Sequence, residues 1–263
     1  MTIRFAKAHA YGNDFLYVEK QAIEGRPADG LARQLCERHW GIGADGLIVF
    51  EPVAGGATMQ LFNADGSPAE ISGNGVRALA ALLLREDQTT EPRVTIHTNA
   101  GAKMLSRITR TGARQTFRGA MGLPRDLHPA LVSAAGESLG AVILNMGNPH
   151  CVVLGPLPDS SRFERLGSAL ERHEAFSAGT NVEFADVQAP DAVQILIWER
   201  GVGPTTSSGT GSCAALVAAA AFGGAARDAR VLAPGGTQHV EWCDDSVYLT
   251  GWAEVLFDGD WGF

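Results

Sequence analysis

Short runs rich in β-branched and aromatic residues recur along the chain, separated by segments that contain glycine, proline or asparagine. Runs of this kind predict β-strands. The predicted strands are DFLYVE, GLIVFEP, TMQLFNA, RVTIHT, AVILNM, HCVVLG, NVEFADV, AVQILIWE and VYLTGWAEVLF. Because most of them follow one another without a helix between, we expect mixed or largely antiparallel sheets in an α+β fold.

Apolar residues at helical spacing predict helices in two segments, PADGLARQLCERH (27–39) and DSSRFERLGSALERHEAF (159–176). An aspartate is expected to cap each helix. Two further apolar runs directly follow the sequences SGNG (72–75) and SGTG (208–211).

The chain also resembles itself at about half its length, a pattern that indicates internal duplication. The matching landmarks, at offsets of 135 (148 − 13) or 136 (208 − 72), are Asn13 and Asn148, Gly43 and Gly179, Phe62 and Trp198, and Ser72 and Ser208. We therefore predict two domains of similar topology related by a pseudo-twofold axis, each with a sheet wrapped around a central helix. The first comprises residues 1–118, completed by about 254–263, and the second comprises residues 119–253.

Composition narrows the classes of function. The 263 residues are 45% hydrophobic, enough to fill real cores, and the formal charge of −8 argues against nucleic acid as a partner. Neither a signal peptide nor a membrane span is expected, because no apolar stretch has the required length and flanks. The four cysteines lie far apart without a C-x-x-C pair, which indicates neither a metal site nor a disulfide framework and fits the cytoplasm.

Each S-G-x-G sequence precedes an apolar run, so each predicts free backbone amides and the positive end of a helix dipole at its serine. Such a helix start binds an anion without a basic side chain. If the two halves face each other, Ser72 and Ser208 lie on opposite faces of one ligand. The alternative is structural, since serine is a favoured N-cap and glycine often follows for backbone reasons.

Seven segments, in order along nearly the whole chain, carry a family resemblance. They are GNDF (12–15), LCERHWGIGADGLIVFEP (35–52), FNADGS (62–67), SGNGVRALA (72–80), MGNPHCVV (146–153), GTNVEF (179–184) and ERGVGPTTSSGTGSCAA (199–215). Together they resemble the diaminopimelate epimerase family. The resemblance implies two α/β domains with a ligand cleft between them, and inversion of an amino-acid α-carbon without a cofactor, in lysine and peptidoglycan-precursor synthesis.

The resemblance also implies roles for individual residues. The positions expected to bind the amino-acid substrate are Asn13, Asn63, Gly73, Asn74, Asn148, Asn181, Arg200, Gly209 and Thr210. Glu199 is expected to accept a hydrogen bond from an ammonium group, and His150 to orient or tune the reacting group. The alternatives are turn chemistry for the asparagines, a solvated ion pair for Glu199 with Arg200, and a core histidine bonded to backbone for His150.

A cofactor-free inversion needs one group to remove the α-proton and a second to deliver a proton on the other face. A pyridoxal enzyme would need a Schiff-base lysine, and Lys7, Lys20 and Lys103 lie in no recognisable cofactor motif. We therefore expect no cofactor. The expected partner is a small-molecule amino-acid substrate, and the sequence leaves the oligomeric state open, a homodimer included.

The pattern breaks at the two residues that matter most for this chemistry. The resemblance implies a cysteine acid and a cysteine base at the positions of Ser72 and Ser208, both of which are serine here. A helix start brings a thiol, with its ordinary pKa of about 8.5, within reach of neutral pH, but a serine hydroxyl needs an adjacent base. His150 is the candidate for that role.

Several interpretations of the serines stay open at this point. The chain is a divergent diaminopimelate epimerase, a racemase or epimerase of another amino acid, or an amino-acid-binding protein that has lost the chemistry. An engineered double substitution is disfavoured, because Ile71, Ala78, Pro204 and Ser207 also depart from the family pattern.

Overall fold

The computed structural model describes residues 2–69, 71–89 and 92–262. The chain divides into two compact units, which we call unit 1 (Met1–Gly119 with Gly251–Phe263) and unit 2 (Ala120–Thr250). Among the described residues, no helix combines the length and the apolar character needed to cross a membrane.

Unit 1 alternates strands with two helices. Its elements are β1 (Thr2–Ala10), β2 (Asn13–Glu19), α1 (Ala28–Cys36), β3 (Gly46–Val53), β4 (Gly56–Asn63), β5 (Pro68–Ala69), α2 (Gly73–Leu83), β6 (Arg93–Thr98), β7 (Gly101–Thr111) and most of β8 (Arg114–Gly122). The last strand of the chain, β17 (Val247–Gly262), pairs antiparallel with β1 along its second half. Parallel pairs join β2 to β3 and β4 to β6. The antiparallel pairs are β1 with β2, β3 with β4, β4 with β5, β6 with β7, and β7 with β8.

Unit 2 follows the same order of pairings. Its elements are β9 (Arg125–Ala134), β10 (Glu137–Asn145), β11 (Pro149–Leu154), α3 (Ser160–Glu171), β12 (Asn181–Ala189), β13 (Ala192–Glu199), β14 (Gly203–Thr205), α4 (Gly209–Ala218), β15 (Asp228–Ala233), β16 (Gly236–Trp242) and the start of β17. Parallel pairs join β11 to β12 across α3 and β13 to β15 across α4. A parallel pair needs such a crossover, which explains why each unit spaces these strands with a helix.

A central helix lies in the core of each unit. Helix α2 packs in one apolar cluster with residues from the long strands of unit 1, and α4 does the same in unit 2. Helix α4 is apolar almost all round, as expected for a helix buried on every side. The mixed sheets around central helices confirm the predicted α+β class.

The duplication is visible in the strand register. Phe15 pairs with Gly46 in unit 1, and His150 pairs with Asn181 in unit 2, both across parallel strands. The residue numbers of matching positions differ by 135 here, and by 136 in β4 and β13, which follow the next turn. The extra residue is accommodated in β12, where the register shifts between Val187 and Ala189.

Two local predictions differ from the structure. Helix α1 begins after Pro27, whose side chain makes no capping hydrogen bond, and Asp29 lies within its first turn instead of capping it. The helix also ends at Cys36 rather than continuing to His39. In α3 the predicted cap is present, because the Asp159 side chain accepts from the N–H of Arg162 at 2.8 Å.

Candidate active site

Each S-G-x-G sequence forms the start of a central helix. The Ser72 hydroxyl accepts a hydrogen bond from the backbone N–H of Gly75 at 3.1 Å, and the Ser208 hydroxyl accepts one from Gly211 at 3.2 Å. Both serines have extended backbone, as N-cap residues do. Each serine therefore lies at the positive end of a buried helix, where charge on an anionic ligand is stabilised.

The second glycine of each turn faces a strand residue at close range. A Cβ at Gly75 would lie 2.8 Å from Cδ1 of Ile48, and a Cβ at Gly211 would lie 2.7 Å from Oε1 of Glu183. A side chain at either position would displace the facing group. The Glu183 carboxylate thus lies directly against the first turn of α4.

Glu199, at the end of β13, is the acidic neighbour of Ser208. Burial raises the pKa of this carboxyl above its ordinary value, and the negative charge of Glu183 adds to the increase. Hydrogen bonds from the hydroxyls of Thr205 and Ser208 act in the opposite direction, and the Thr205 bond is 3.1 Å long. Glu199 is therefore a carboxyl of raised pKa whose ionised form is favoured by the hydroxyls of Thr205 and Ser208.

His150 and Glu183 form a pair in the interior of unit 2. Nδ1 of the imidazole lies 2.9 Å from Oε1 of Glu183, and both side chains are 0% exposed. The second carboxylate oxygen, Oε2, is buried and has no hydrogen-bond partner among the described residues. An unpaired buried carboxylate oxygen costs free energy, so this pair is expensive for the fold.

The other ring nitrogen of His150 continues the contacts toward α4. Nε2 lies 2.9 Å from Oδ1 of Asn148, whose Nδ2 donates to the hydroxyl of Thr210 at 3.3 Å. His150 is thus buried but held by side chains, not by backbone as its structural alternative supposed. Five of the residues predicted for the site, Asn148, His150, Glu199, Ser208 and Thr210, come together in unit 2.

Unit 1 has a corresponding polar contact, made by two asparagines. The Nδ2 group of Asn74, the second residue of α2, donates to Oδ1 of Asn13 at 3.3 Å. Asn13 in turn donates to Asp45 at 2.8 Å, and Asn74 accepts from Arg77 at 3.1 Å. The amide groups of Asn13 and Asn74 are therefore fixed relative to the Ser72 turn.

An ion-pair cluster supports that arrangement. Arg38 contacts both Asp14, at 2.9 Å, and Asp45, at 2.8 Å, while Lys7 contacts Asp14 at 3.0 Å. Burial on its own would raise the pKa of Asp14, but the hydrogen bonds from Arg38 and Lys7 outweigh it and hold the pKa below its ordinary value. The charged Asp14 thus helps to lock the loop that carries Asp45.

The remaining predicted residues lie outside these two clusters. Asn63 is exposed and donates to Ser67 at 3.0 Å. Asn181 is 7% exposed, and its amide group is engaged on both sides, donating to Pro149 O at 3.0 Å and accepting from the N–H of Arg200 at 3.1 Å. The Arg200 guanidinium is exposed and donates to Ala178 O. Gly73 and Gly209 are the first residues of α2 and α4.

Three of the four cysteines are buried and unsuited to replace the thiols expected at the two serine positions. Burial raises the pKa of Cys36 and of Cys151 to about 12, and Cys213 is enclosed in the core around α4. Thiols of this kind stay protonated and inert. The described residues also contain no group of three or more His, Cys, Asp or Glu side chains that could hold a metal ion.

The sequence reasoning missed Glu183 and Thr205 in unit 2, and Asp45 with its partners Asp14 and Arg38 in unit 1. Glu183 lies between Val182 and Phe184, the alternation of a strand with one exposed face, so the pattern did not indicate a buried carboxyl. Asp45 and Thr205 lie in sequences where polar residues are common, and no pattern distinguished them.

Comparisons with known proteins agree with the motifs. The family model described as diaminopimelate epimerase matches residues 5–123 and 142–256. A diaminopimelate epimerase of Desulforudis audaxviator is 41% identical, with 98% of this chain and 99% of the relative covered. A diaminopimelate epimerase of Synechocystis is 38% identical over the same shares of the two chains.

Solved structures show the same fold at low identity. A hydroxyproline epimerase from Agrobacterium vitis has a TM-score of 0.70 and 17% identity, covering 99% of this chain and 92% of its own. A phenazine biosynthesis protein of the PhzF family from Enterococcus faecalis has a TM-score of 0.68 and 13% identity, with both chains covered completely. The family match and the full-length relatives establish that this chain belongs to the diaminopimelate epimerase family, which confirms the isomerase class expected from its motifs.

Proposed function

We propose that the chain inverts the α-carbon of an amino acid without a cofactor, and that LL-diaminopimelate is its first candidate substrate. The relatives named diaminopimelate epimerase support the substrate class. What supports the chemistry is that the Ser208 hydroxyl is one of the groups that act on the Glu199 carboxyl, which makes Glu199 the candidate for the adjacent base that a hydroxyl needs.

The proton balance of the proposed step is simple. As Ser208 Oγ removes the substrate α-proton, the carbon–hydrogen bond breaks and its electron pair stays on the substrate. The original hydroxyl proton passes to the Glu199 carboxylate. A proton is delivered to the other face of the carbon by the Ser72 hydroxyl, the role that the family resemblance gives to this position. After the inverted amino acid is released, Glu199 loses its proton to water and Ser72 takes one from water, so both groups return to their starting state.

Each helix start contributes to this reaction electrostatically. Removing the α-proton spreads negative charge onto the substrate carboxylate, and the backbone amides of α2 and α4 are donors suited to that charge. We propose that Asn13, Asn74, Asn148 and Thr210, which are fixed at the two turns by their hydrogen bonds, supply the polar contacts to the substrate. The exposed guanidinium of Arg200 is the proposed ligand of the distal carboxylate.

The test is α-proton exchange in heavy water, followed by proton NMR with LL-diaminopimelate, meso-diaminopimelate and a panel of other amino acids. Exchange with diaminopimelate supports the proposal, and exchange with another amino acid alone corrects the substrate. A thermal shift with diaminopimelate but no exchange with any amino acid would identify a binding protein instead. The Ser208→Ala variant is the negative control, and Ser168→Ala, at an exposed site on α3, is the matched control.

A further inference from the structure

Unit 2 buries an acid and an imidazole at positions where unit 1 buries two apolar side chains. The register of the parallel strands matches His150 with Phe15, since these residues pair with Asn181 and Gly46 in their respective sheets. Glu183 lies two residues after Asn181 in β12 and Ile48 lies two residues after Gly46 in β3, so these two residues also match. The glycines of the two turns support the second match, because Gly211 faces Glu183 at nearly the distance at which Gly75 faces Ile48.

The fold itself therefore has no need of a buried acid and imidazole at these positions. Phe15 and Ile48 are 4% and 0% exposed and belong to the apolar core of unit 1, in the same strands against the same helix start. Replacing a buried ion pair by apolar residues of similar volume is often neutral or stabilising. In unit 2 the pair also leaves Oε2 of Glu183 buried without a partner in the described part of the chain, which adds to its cost.

What the pair adds is a fixed charge pattern at the Ser208 turn. Glu183 contacts both the imidazole and the first turn of α4. His150 in turn contacts Asn148, and Asn148 donates a hydrogen bond to Thr210. Both members of the pair also act electrostatically on Glu199, Glu183 favouring its protonated form and His150 its ionised form.

We propose that Glu183 is a positioning residue for the Ser208 turn, which fixes the imidazole ring of His150 through Nδ1 and sets the negative field in which Glu199 accepts the serine proton. This role rests on the proposed function of Ser208 and Glu199. It makes the two serines unequal, because the positions in unit 1 that correspond to His150, Glu183 and Glu199 hold Phe15, Ile48 and Asn63, none of which is ionisable.

Two variants separate this role from a structural one. Glu183→Gln keeps the shape of the side chain and removes its charge. The double variant His150→Phe with Glu183→Ile installs the unit 1 pair in unit 2, so it is expected to fold with a melting temperature at or above that of the parent chain. Glu171→Gln is the matched control, because Glu171 is also buried in unit 2 but its carboxylate accepts from Trp198 and the N–H of Gly201 instead.

Three quantities are measured: the pH titration of the Glu199 carboxyl ¹³C signal, the ¹⁵N shifts of the His150 imidazole, and the rate of α-proton exchange. The Glu199 signal is assigned through its loss in Glu199→Gln. In Glu183→Gln we expect a lower pKa of Glu199, altered His150 shifts and exchange slowed on the order of 10- to 100-fold, with KM changed little. In the double variant we expect exchange to be lost. Glu171→Gln should change none of these.

The outcomes distinguish the two proposals. If Glu183→Gln leaves both the Glu199 titration and the His150 shifts as they are, the positioning role is overturned, whatever the activity. If both signals respond as expected while the parent chain exchanges no amino-acid α-proton, the positioning role stands and the proposed function fails. Should the double variant not fold, the Glu183→Gln spectra still decide the question.

Discussion

Thr205 Oγ1 lies 3.1 Å from Oε1 of Glu199 and donates a hydrogen bond to it. This bond favours the ionised carboxylate, so Thr205 lowers the pKa of Glu199 while burial raises it. In Thr205→Val we expect the pKa of Glu199 to rise further and the acidic limb of the exchange rate profile to move to higher pH. Thr109→Val, at an exposed site in β7, is the control. An unmoved acidic limb would contradict the assignment of Glu199 as the base.

Removing the base itself has consequences for rate and for stability. In Glu199→Gln we expect exchange to fall by about 10²- to 10⁴-fold, the usual contribution of a general base. Because folding raises the pKa of Glu199, the folded chain binds more protons than the unfolded chain between the two pKa values. The contribution of Glu199 to stability therefore falls as pH rises from its unfolded pKa, about 4.3, toward its folded pKa.

Urea unfolding of Glu199→Gln between about pH 4 and pH 8 measures this second effect. The variant should gain stability relative to the parent chain as pH increases, because glutamine has no charge to bury. Glu164→Gln, at an exposed position of α3, should show no such trend. A pH-independent difference between Glu199→Gln and the parent would count against the raised pKa.

Cysteine at both helix starts tests whether the acid and the base are the main departure from the family pattern. In the double variant Ser72→Cys with Ser208→Cys we expect faster exchange of diaminopimelate, because a helix start lowers the pKa of a thiol toward neutrality. Exchange rates at several pH values provide the measurement, and Ser168→Cys on α3 controls for the addition of a thiol. A double variant that binds diaminopimelate and remains inert, or that fails to bind it, would show that this substrate is wrong.

The contact between Gly75 and Ile48 predicts a non-additive pair of substitutions. Gly75→Ala alone should cost on the order of 1–3 kcal/mol, because its Cβ would meet Ile48 Cδ1 at 2.8 Å. Ile48→Val removes that carbon and should cost about 0.5–1.5 kcal/mol by itself. In the double variant the cost should be smaller than the sum, as measured by urea unfolding in a double-mutant cycle. Additive costs would mean that the backbone, not Ile48, opposes alanine.

The Asp14 cluster predicts a dependence of stability on acid. The pKa of Asp14 is below its ordinary value in the folded chain, so its contribution is fully present above its unfolded pKa of roughly 3.9 and is lost as pH falls through the folded pKa. Asp14→Asn should remove this part of the acid sensitivity. Unfolding curves between about pH 2 and pH 6 measure it, and Asp244→Asn, at a fully exposed aspartate, should leave the acid limb unchanged.

Much of the fold could be predicted because its signals are local. The strand NVEFADV lies within β12, and Ser72 and Ser208 cap α2 and α4, since strand alternation and N-cap chemistry depend on neighbouring residues only. The cap of α1 was wrong, because Pro27 and Asp29 both suit a helix start and only the backbone decides between them. The strands β7, β8, β9, β15 and β16 are not among the predicted strands, because charged and small residues interrupt their apolar pattern.

By itself, the sequence determined the fold class, the family and the two serine-capped helix starts, because these follow from ordered motifs and short-range patterns. Only the tertiary structure decided what surrounds each serine. His150 and Glu183 are 33 residues apart, and the parallel register of β11 and β12 across α3 brings them together. The basicity of Glu199 likewise depends on burial and on the charge of Glu183, two quantities that exist only once the chain has folded.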